Sequence, residues 1–420
     1  MIALLPIAFR NLLRARRRTL LSGGTMALGT AALVLGSGLS DGIARQLTDN
    51  LVAVQTGHVQ VVVRPDDFVP QNSPFDAYGH AILPGADGLA ARIAGLPGVR
   101  RAVPFLYGRG TAIAGNRSTL ASIVGILPEQ EPELRGAHPV EDGTFLPVDD
   151  ALAAYASAPV ARKLRLSVGD PVSFVIQTPK GAVNSMDAVV CGIFAKSAPW
   201  FDGTFYVPLA AAQALFDAPG GGTNVKVMLA DGSPRGARRA RPAIASAVGA
   251  LAGLEPDERA RVETFDEAGR FSFSIIQANR TALAVLSSFL FLAAAVGIVN
   301  AMLMSVHERT REIGTVRALG MRRSSVVRLF VLEGLALGIV SAAIGIAAGG
   351  AVVLYWAGTG IEMNTMTLAW MAGGDRLFPR LTAVNVAGAA VAITTLSTLA
   401  AVYPALTASR LQPREALHHI

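Results

Sequence analysis

The chain has 420 residues, of which 51% are hydrophobic and only 16% charged, with a mean hydropathy of +0.44 and a net charge of +7. These values are too apolar for a soluble protein of this size and place the chain among membrane proteins. They also exclude a nucleic-acid footprint, because the basic excess lies in short segments beside apolar runs, and lone Cys191 excludes an internal disulfide.

The first 18 residues carry Arg10, Arg14, Arg16, Arg17 and Arg18 with no acid. Ile2, Leu5, Phe9 and Leu12 to Leu13 recur there at helical spacing. This reads as an amphipathic helix on the inner membrane surface or as a solvated basic leader. Thr19 to Ser40 is then uncharged over 22 residues, about 33 Å as a helix and enough to cross the hydrocarbon core. The run is longer than a signal-peptide core and lacks a clear cleavage site, so it reads as an uncleaved span.

Residues 41–280 have ordinary globular composition, with 22 basic and 24 acidic side chains. His58 to Arg64 and Val99 to Ala114 read as strands flanking a helix from Asp87 to Ala94. Asn224 to Leu229 and Arg261 to Phe265 repeat that pattern around a helix from Pro234 to Leu251. Two β-α-β units predict a ferredoxin-like α+β lobe, with a mostly β lobe inserted at about 119–216. Within the insertion the stronger strands are Pro171 to Thr178 and Asp187 to Ala195. Phe265 to Arg280 is helical in pattern and leads without a break into the second span, 281–306.

The next segment, 307–328, holds six Arg against Glu308 and Glu312. The third span follows at 329–358 with a single charge, Glu333, for which Arg322, Arg323 and Arg328 are the near partners in sequence. A short outer loop, 359–380, precedes the fourth span, 381–408, and a tail, 409–420. The basic segments all fall on one side of this four-helix layout. By the positive-inside rule that side is the cytoplasm, with both termini there and residues 41–280 outside.

Glu308 to Leu319 can form about three helical turns with Ile313, Val316 and Leu319 or Gly320 on one side and Arg309, Arg311, Glu312 and Thr315 largely elsewhere. Gly320 is a natural helix stop, Arg317 and Ala318 fall in the last turn, and Ser324 or Ser325 can cap the third span. An apolar edge flanked by Arg suits docking into a partner's groove, and it equally suits an interfacial helix that anchors the spans. Gly334, Gly338, Gly345 and Gly349 form a small-residue stripe on span three, and Gly29 and Gly36 a second on span one, for packing within or between subunits. There is no G-x-x-x-x-G-K-[ST], H-E-x-x-H or C-x-x-C, so no catalytic residue or metal ligand is assigned.

The run ERTREIGTVRALG with a basic pair and LFVLEGLALG resembles the signature of FtsX-like ABC permeases, the family of lipoprotein-releasing and macrolide-exporting permeases. TGHVQV, ARKLRLSVGDPVSF and the close YPALTASRLQPREAL agree with it. The resemblance implies a bacterial inner-membrane permease acting as a dimer of two copies or paralogues. It implies a separate cytoplasmic ATPase that binds ATP and Mg, with no cofactor on this chain. The coupling helix would be Glu308 to Leu319, including Arg309, Arg311, Glu312, Ile313, Val316, Arg317 and Ala318, with Gly320 as its stop. Substrate would be handled at the outer leaflet, with a lipoprotein favoured. A peptide or drug exporter with a periplasmic adaptor and a regulator of a cell-wall hydrolase are the alternatives. A carrier predicts an apolar groove at the outer leaflet; a regulator predicts a polar docking face.

Overall fold

The computed structural model describes residues 16–65, 73, 75, 78, 81–195, 198–249 and 258–410. The leader at 1–15 and the tail at 411–420 lie outside them. The chain divides into two compact units: residues 1–42, 277–361 and 378–420 form one, and residues 43–276 with 362–377 form the other.

Among the described residues, the first unit is built from four helices long and apolar enough to cross a membrane. They belong to Arg16–Asn50, Arg270–Glu308, Arg323–Thr359 and Ala383–Arg410. The first two helices continue unbroken past the unit limits at 42/43 and 276/277. The outward faces of the second, third and fourth helices carry Phe289, Leu354 and Tyr403 at 62–67% exposure, a surface that lipid and not water would cover. The third helix is central. Gly334 and Gly338 lie against Ser397, Thr394 and Ala401 of the fourth helix, and Gly345 and Gly349 against Ala27, Thr30 and Ala31 of the first. A methyl group at Gly349 would come within 2.7 Å of the Ala31 carbonyl oxygen, so only glycine permits this approach. Ser397 Oγ donates to the Gly334 carbonyl, which ties the two backbones without a charge. The fourth helix is capped by Thr382, whose Oγ1 accepts the Asn385 N–H at 3.3 Å.

The third helix starts differently from its sequence expectation. Its N-cap is Arg322 in an extended conformation, with no side-chain cap, and Ser324 and Ser325 lie inside the first turn.

The second unit holds a ten-stranded sheet. Strands β1 (Val59–Pro65), β2 (Val99–Ala114), β9 (Asn224–Leu229) and β10 (Glu258–Thr264) pair antiparallel in the order β10-β1-β9-β2. Helices Ala86–Ala94 and Pro234–Val248 share a core with them: Val61, Val63, Leu89, Ile93, Val227 and Ile244. The far half of β2 turns into a second lobe. There it pairs with β3 (Arg117–Ile126), β3 with β8 (Thr204–Pro208), β8 with β5 (Ala153–Ser157), β5 with β7 (Val183–Phe194), and β7 with β6 (Pro171–Gln177) and with the short edge strand β4 (Val140–Gly143). Because β6 also pairs with β2, the hydrogen bonds close a six-stranded ring around Leu106, Ile123, Phe174, Val190 and Phe205. The insertion limit read at about 119 falls within β3.

The segment 359–380 is more than a loop. A helix, Met366–Ala372, places Trp370 against Trp200 at 5.4 Å and Phe271 at 5.9 Å between ring centroids. Gln46 and Asn50 donate to the Arg376 and Gly373 carbonyls at 2.9 and 2.7 Å. The first long helix closes in a π-helical turn, Leu51–Thr56. Two buried side chains of β9 take up its carbonyls: Lys226 donates to Ala53 at 3.2 Å and Asn224 to Gln55 at 3.0 Å. Lys226 also pairs with buried Glu131 at 2.8 Å.

Candidate functional sites: a basic helix and an apolar groove

The second long helix runs to Glu308, and Arg309 (φ −108°, ψ 16°) breaks it before a short helix, Thr310–Ala318. Buried Thr310 turns its hydroxyl back onto the Val306 and His307 carbonyls, both at 2.9 Å. At the other end Gly320 has φ +103°. The Gly320 N–H bonds the Arg317 carbonyl and the Met321 N–H the Val316 carbonyl, at 3.0 and 3.2 Å, which is the Schellman pattern. A left-handed residue is required there, so the glycine sets where the helix ends.

The apolar edge read from the sequence divides in the structure. Ile313 is half-buried and, with Val316, Met321, Leu329 and Phe330, lines a pocket of about 200 Å³. Leu319 projects at 83% exposure, and Val316 at 38% lies between the two. Glu308, Arg311, Glu312, Ala318 and Gly320 are exposed, and Arg317 is half-buried. Arg309 is pulled inward. Its Nε donates to Glu312 at 3.1 Å and its Nη1 to Glu333 at 3.2 Å. Glu333 is 5% exposed, and Arg309, which the sequence does not mark as its neighbour, brings a guanidinium to it. The break at residue 309 folds the short helix back over the third, which spacing within one helix cannot reveal.

A larger cleft of about 760 Å³ lies between the first, second and fourth long helices. It is at the ends that lead in sequence into the second unit. Leu33, Leu283, Leu286, Leu290 and Phe291 make its apolar wall, and Ser37, Ser40, Asp41, Arg280 and Asn385 its polar rim. Asp41 accepts from Asn385 Nδ2 at 2.9 Å and Thr382 Oγ1 at 3.4 Å, tying the first helix to the fourth. Gly36 faces Leu283 so closely that a methyl group there would stand 2.8 Å from it. Gly29 has open space within 4 Å. These cleft residues, Gly36 apart, are not marked by the sequence reading; the only sequence signal is the Ser and Asp pattern at the end of the first apolar run.

Two family models match the chain. The FtsX-like permease C-terminal model covers residues 284–413, which include both the short helix and part of the cleft. The MacB-like periplasmic core domain model covers residues 19–241, just over half the chain. Among curated relatives, a macrolide export ATP-binding/permease protein MacB from Rhodopirellula baltica is 31% identical over 44% of this chain and 25% of that protein. A MacB protein from Bdellovibrio bacteriovorus is 25% identical over 100% of this chain and 62% of its own length. The chain therefore spans less than two thirds of either. The lipoprotein-releasing system transmembrane protein LolE of Haemophilus influenzae is 22% identical over 93% of this chain and 92% of its own length.

Proposed function

The chain belongs to the FtsX-like permease family with a MacB-like periplasmic core domain, and from that premise we propose that it is the permease subunit of an ABC transporter that works by transmitting motion across the membrane. A cytoplasmic ATPase holding ATP and Mg docks on Thr310–Ala318, with Leu319 and Val316 as its apolar contacts. The protein lies in a bacterial inner membrane with both termini cytoplasmic, and it acts as a dimer of copies or paralogues. The first and second long helices each supply residues to both units. Displacing the short helix would therefore shift continuous rods and rearrange the outer domain. The order β10-β1-β9-β2 supports a ferredoxin-like reading of the first outer lobe.

The observation that carries a substrate-handling role is the cleft between helices one, two and four. Its volume lies within the roughly 300–1,000 Å³ of small-ligand sites, and its apolar wall with a polar rim suits an acyl chain whose head stays at the surface. A regulator of a cell-wall hydrolase has no use for such a cleft. We favour a lipid-anchored protein as the substrate, supported by the near end-to-end match to a lipoprotein-releasing transmembrane protein. Peptide or drug export with a periplasmic adaptor is the second reading, supported by the 31% identity to a macrolide exporter. The test is ATP hydrolysis by the permease–ATPase complex in lipid nanodiscs, challenged with a triacylated lipopeptide or a macrolide. Stimulation by the lipopeptide alone, lost in Ala284→Trp or Ala32→Trp, is the expected result. Stimulation by the macrolide alone reverses the order of the two readings, and stimulation by neither in an active complex removes the carrier role.

A further inference from the structure

The first long helix does not close on its own hydrogen bonds alone. Its last turn, Leu51–Thr56, is π-helical, a geometry that gathers at functional sites, and the Gly57 N–H reaches back five residues to the Val52 carbonyl at 3.0 Å. The next N–H, on His58, turns away to the Val227 carbonyl of β9 at 2.9 Å. The Ala53 carbonyl is met instead by the Lys226 ammonium at 3.2 Å. An ammonium has three donors, and the other acceptors here are both oxygens of Glu131, at 2.9 and 2.8 Å. Glu131 is the N-cap of a helix in the second lobe, Pro132–Ala137. The carbonyl of His138, just after that helix, accepts from Tyr155 Oη of β5 at 3.0 Å. One buried cation therefore joins the end of the first long helix, β9 of the first lobe and a helix fastened to the ring of the second. Leu47, Val54, Leu134 and Tyr155 share an apolar core around it. Apolar contact is non-directional, whereas a buried, hydrogen-bonded ion pair has one favourable geometry.

We infer that Lys226 is a positioning residue: through the Ala53 carbonyl and Glu131 it makes the second outer lobe follow the first long helix when that helix moves. The inference rests on the motion-transmitting role proposed above and names the joint at which motion enters the outer domain. Packing around the turn would hold the lobe in place at rest. The shared ammonium fixes how the turn is set against β9 and against the helix that Glu131 caps, so a shift of the turn is passed to both.

The test uses the full-length permease with the ATPase that co-purifies with it, in lipid nanodiscs. Amide hydrogen exchange, read by mass spectrometry with and without ATP plus vanadate, follows residues 44–56 at the joint and residues 132–143 and 183–194 in the second lobe. In the parent, nucleotide should change exchange at least about threefold in all three segments. Lys226→Met with Glu131→Leu replaces the pair by apolar side chains. That variant should keep ATP hydrolysis and its nucleotide-free exchange within about twofold of the parent. It should still respond to nucleotide in residues 44–56 and lose the response in both second-lobe segments. An undiminished second-lobe response in the variant overturns the inference. So does a variant whose second lobe exchanges freely without nucleotide, because the pair would then be merely structural. A parent that responds in residues 44–56 and not in residues 132–143 overturns it without any variant. A parent with an active ATPase and no response in residues 44–56 removes the motion-transmitting reading and this inference with it, which separates that failure from the others.

Discussion

The two units hold themselves together by opposite means. In the helical unit the decisive contacts are absences of side chain, with Gly345 and Gly349 bringing two backbones together, and its buried acid Glu333 meets Arg309 at the break before the short basic helix. In the outer unit a large apolar core is crossed by a fully buried ion pair, Lys226 with Glu131, and a second in which buried Arg64 meets half-buried Glu263. The first of these grips the π-helical turn that ends the first long helix. In both units buried charge stands where an element that must hold its register meets the body that it serves. Packing sets shape, and the buried pairs set alignment.

That contrast can be broken in order of expected effect. Lys226→Met leaves Glu131 buried without its cation and should destabilise the outer unit by about 3–5 kcal/mol, while Lys226→Met with Glu131→Leu should recover most of the loss. Thermal unfolding of the purified permease measures both, and a double variant no better than the single would show that the pair contributes only space-filling. Gly345→Leu forces a side chain into Thr30 and the first helix and should cost about 1–3 kcal/mol. The same change at Gly29, which has open space, should be close to neutral in the same assay.

His138 gives a pH-dependent comparison. It is fully buried against Phe194, Phe201 and Tyr206, and desolvation, with the nearby Lys226 charge second, lowers its pKa from 6.5 to about 3. The unfolded chain therefore binds a proton that the folded chain refuses between those values. The stability is fully present above pH 6.5 and is lost as pH falls, by about 2 kcal/mol at pH 5. His138→Phe should flatten that slope in unfolding scans between pH 7 and pH 5, and an unchanged slope would place the acid sensitivity elsewhere. A smaller loss is expected at the cap of the fourth helix, where Thr382→Ala removes the bond accepted from the Asn385 N–H and the one donated to Asp41 and should cost about 1 kcal/mol by the same unfolding measurement.

Charge-free runs made the four long helices legible, because little else keeps 22 or more residues uncharged. Gly320 marked the end of the short helix for a backbone reason that holds in any context. Strands with mixed neighbours, such as β6 and β7, were visible by pattern. β5, with sequence AAYAS, was not: all five residues are buried, so it has no alternation, and alanine favours no strand. Ring closure through β6 and β2 depends on pairing between residues some 60 positions apart, and no local signal carries it. The helix Met366–Ala372 is one short turn-rich stretch whose partners, Trp200 and Phe271, are distant in sequence. The cleft is likewise a product of three separate helices. Arg309 was legible as part of a basic helix, but its inward turn to Glu333 follows from the break in the chain at that residue.

The central claim is that energy enters at the short basic helix. The most direct test is Leu319→Asp, which changes a side chain that is 83% exposed and so leaves the packing intact. The variant should insert and unfold like the parent, yet retain no ATPase activity through purification. Recovery of the parent's full ATPase activity with that variant would contradict the account.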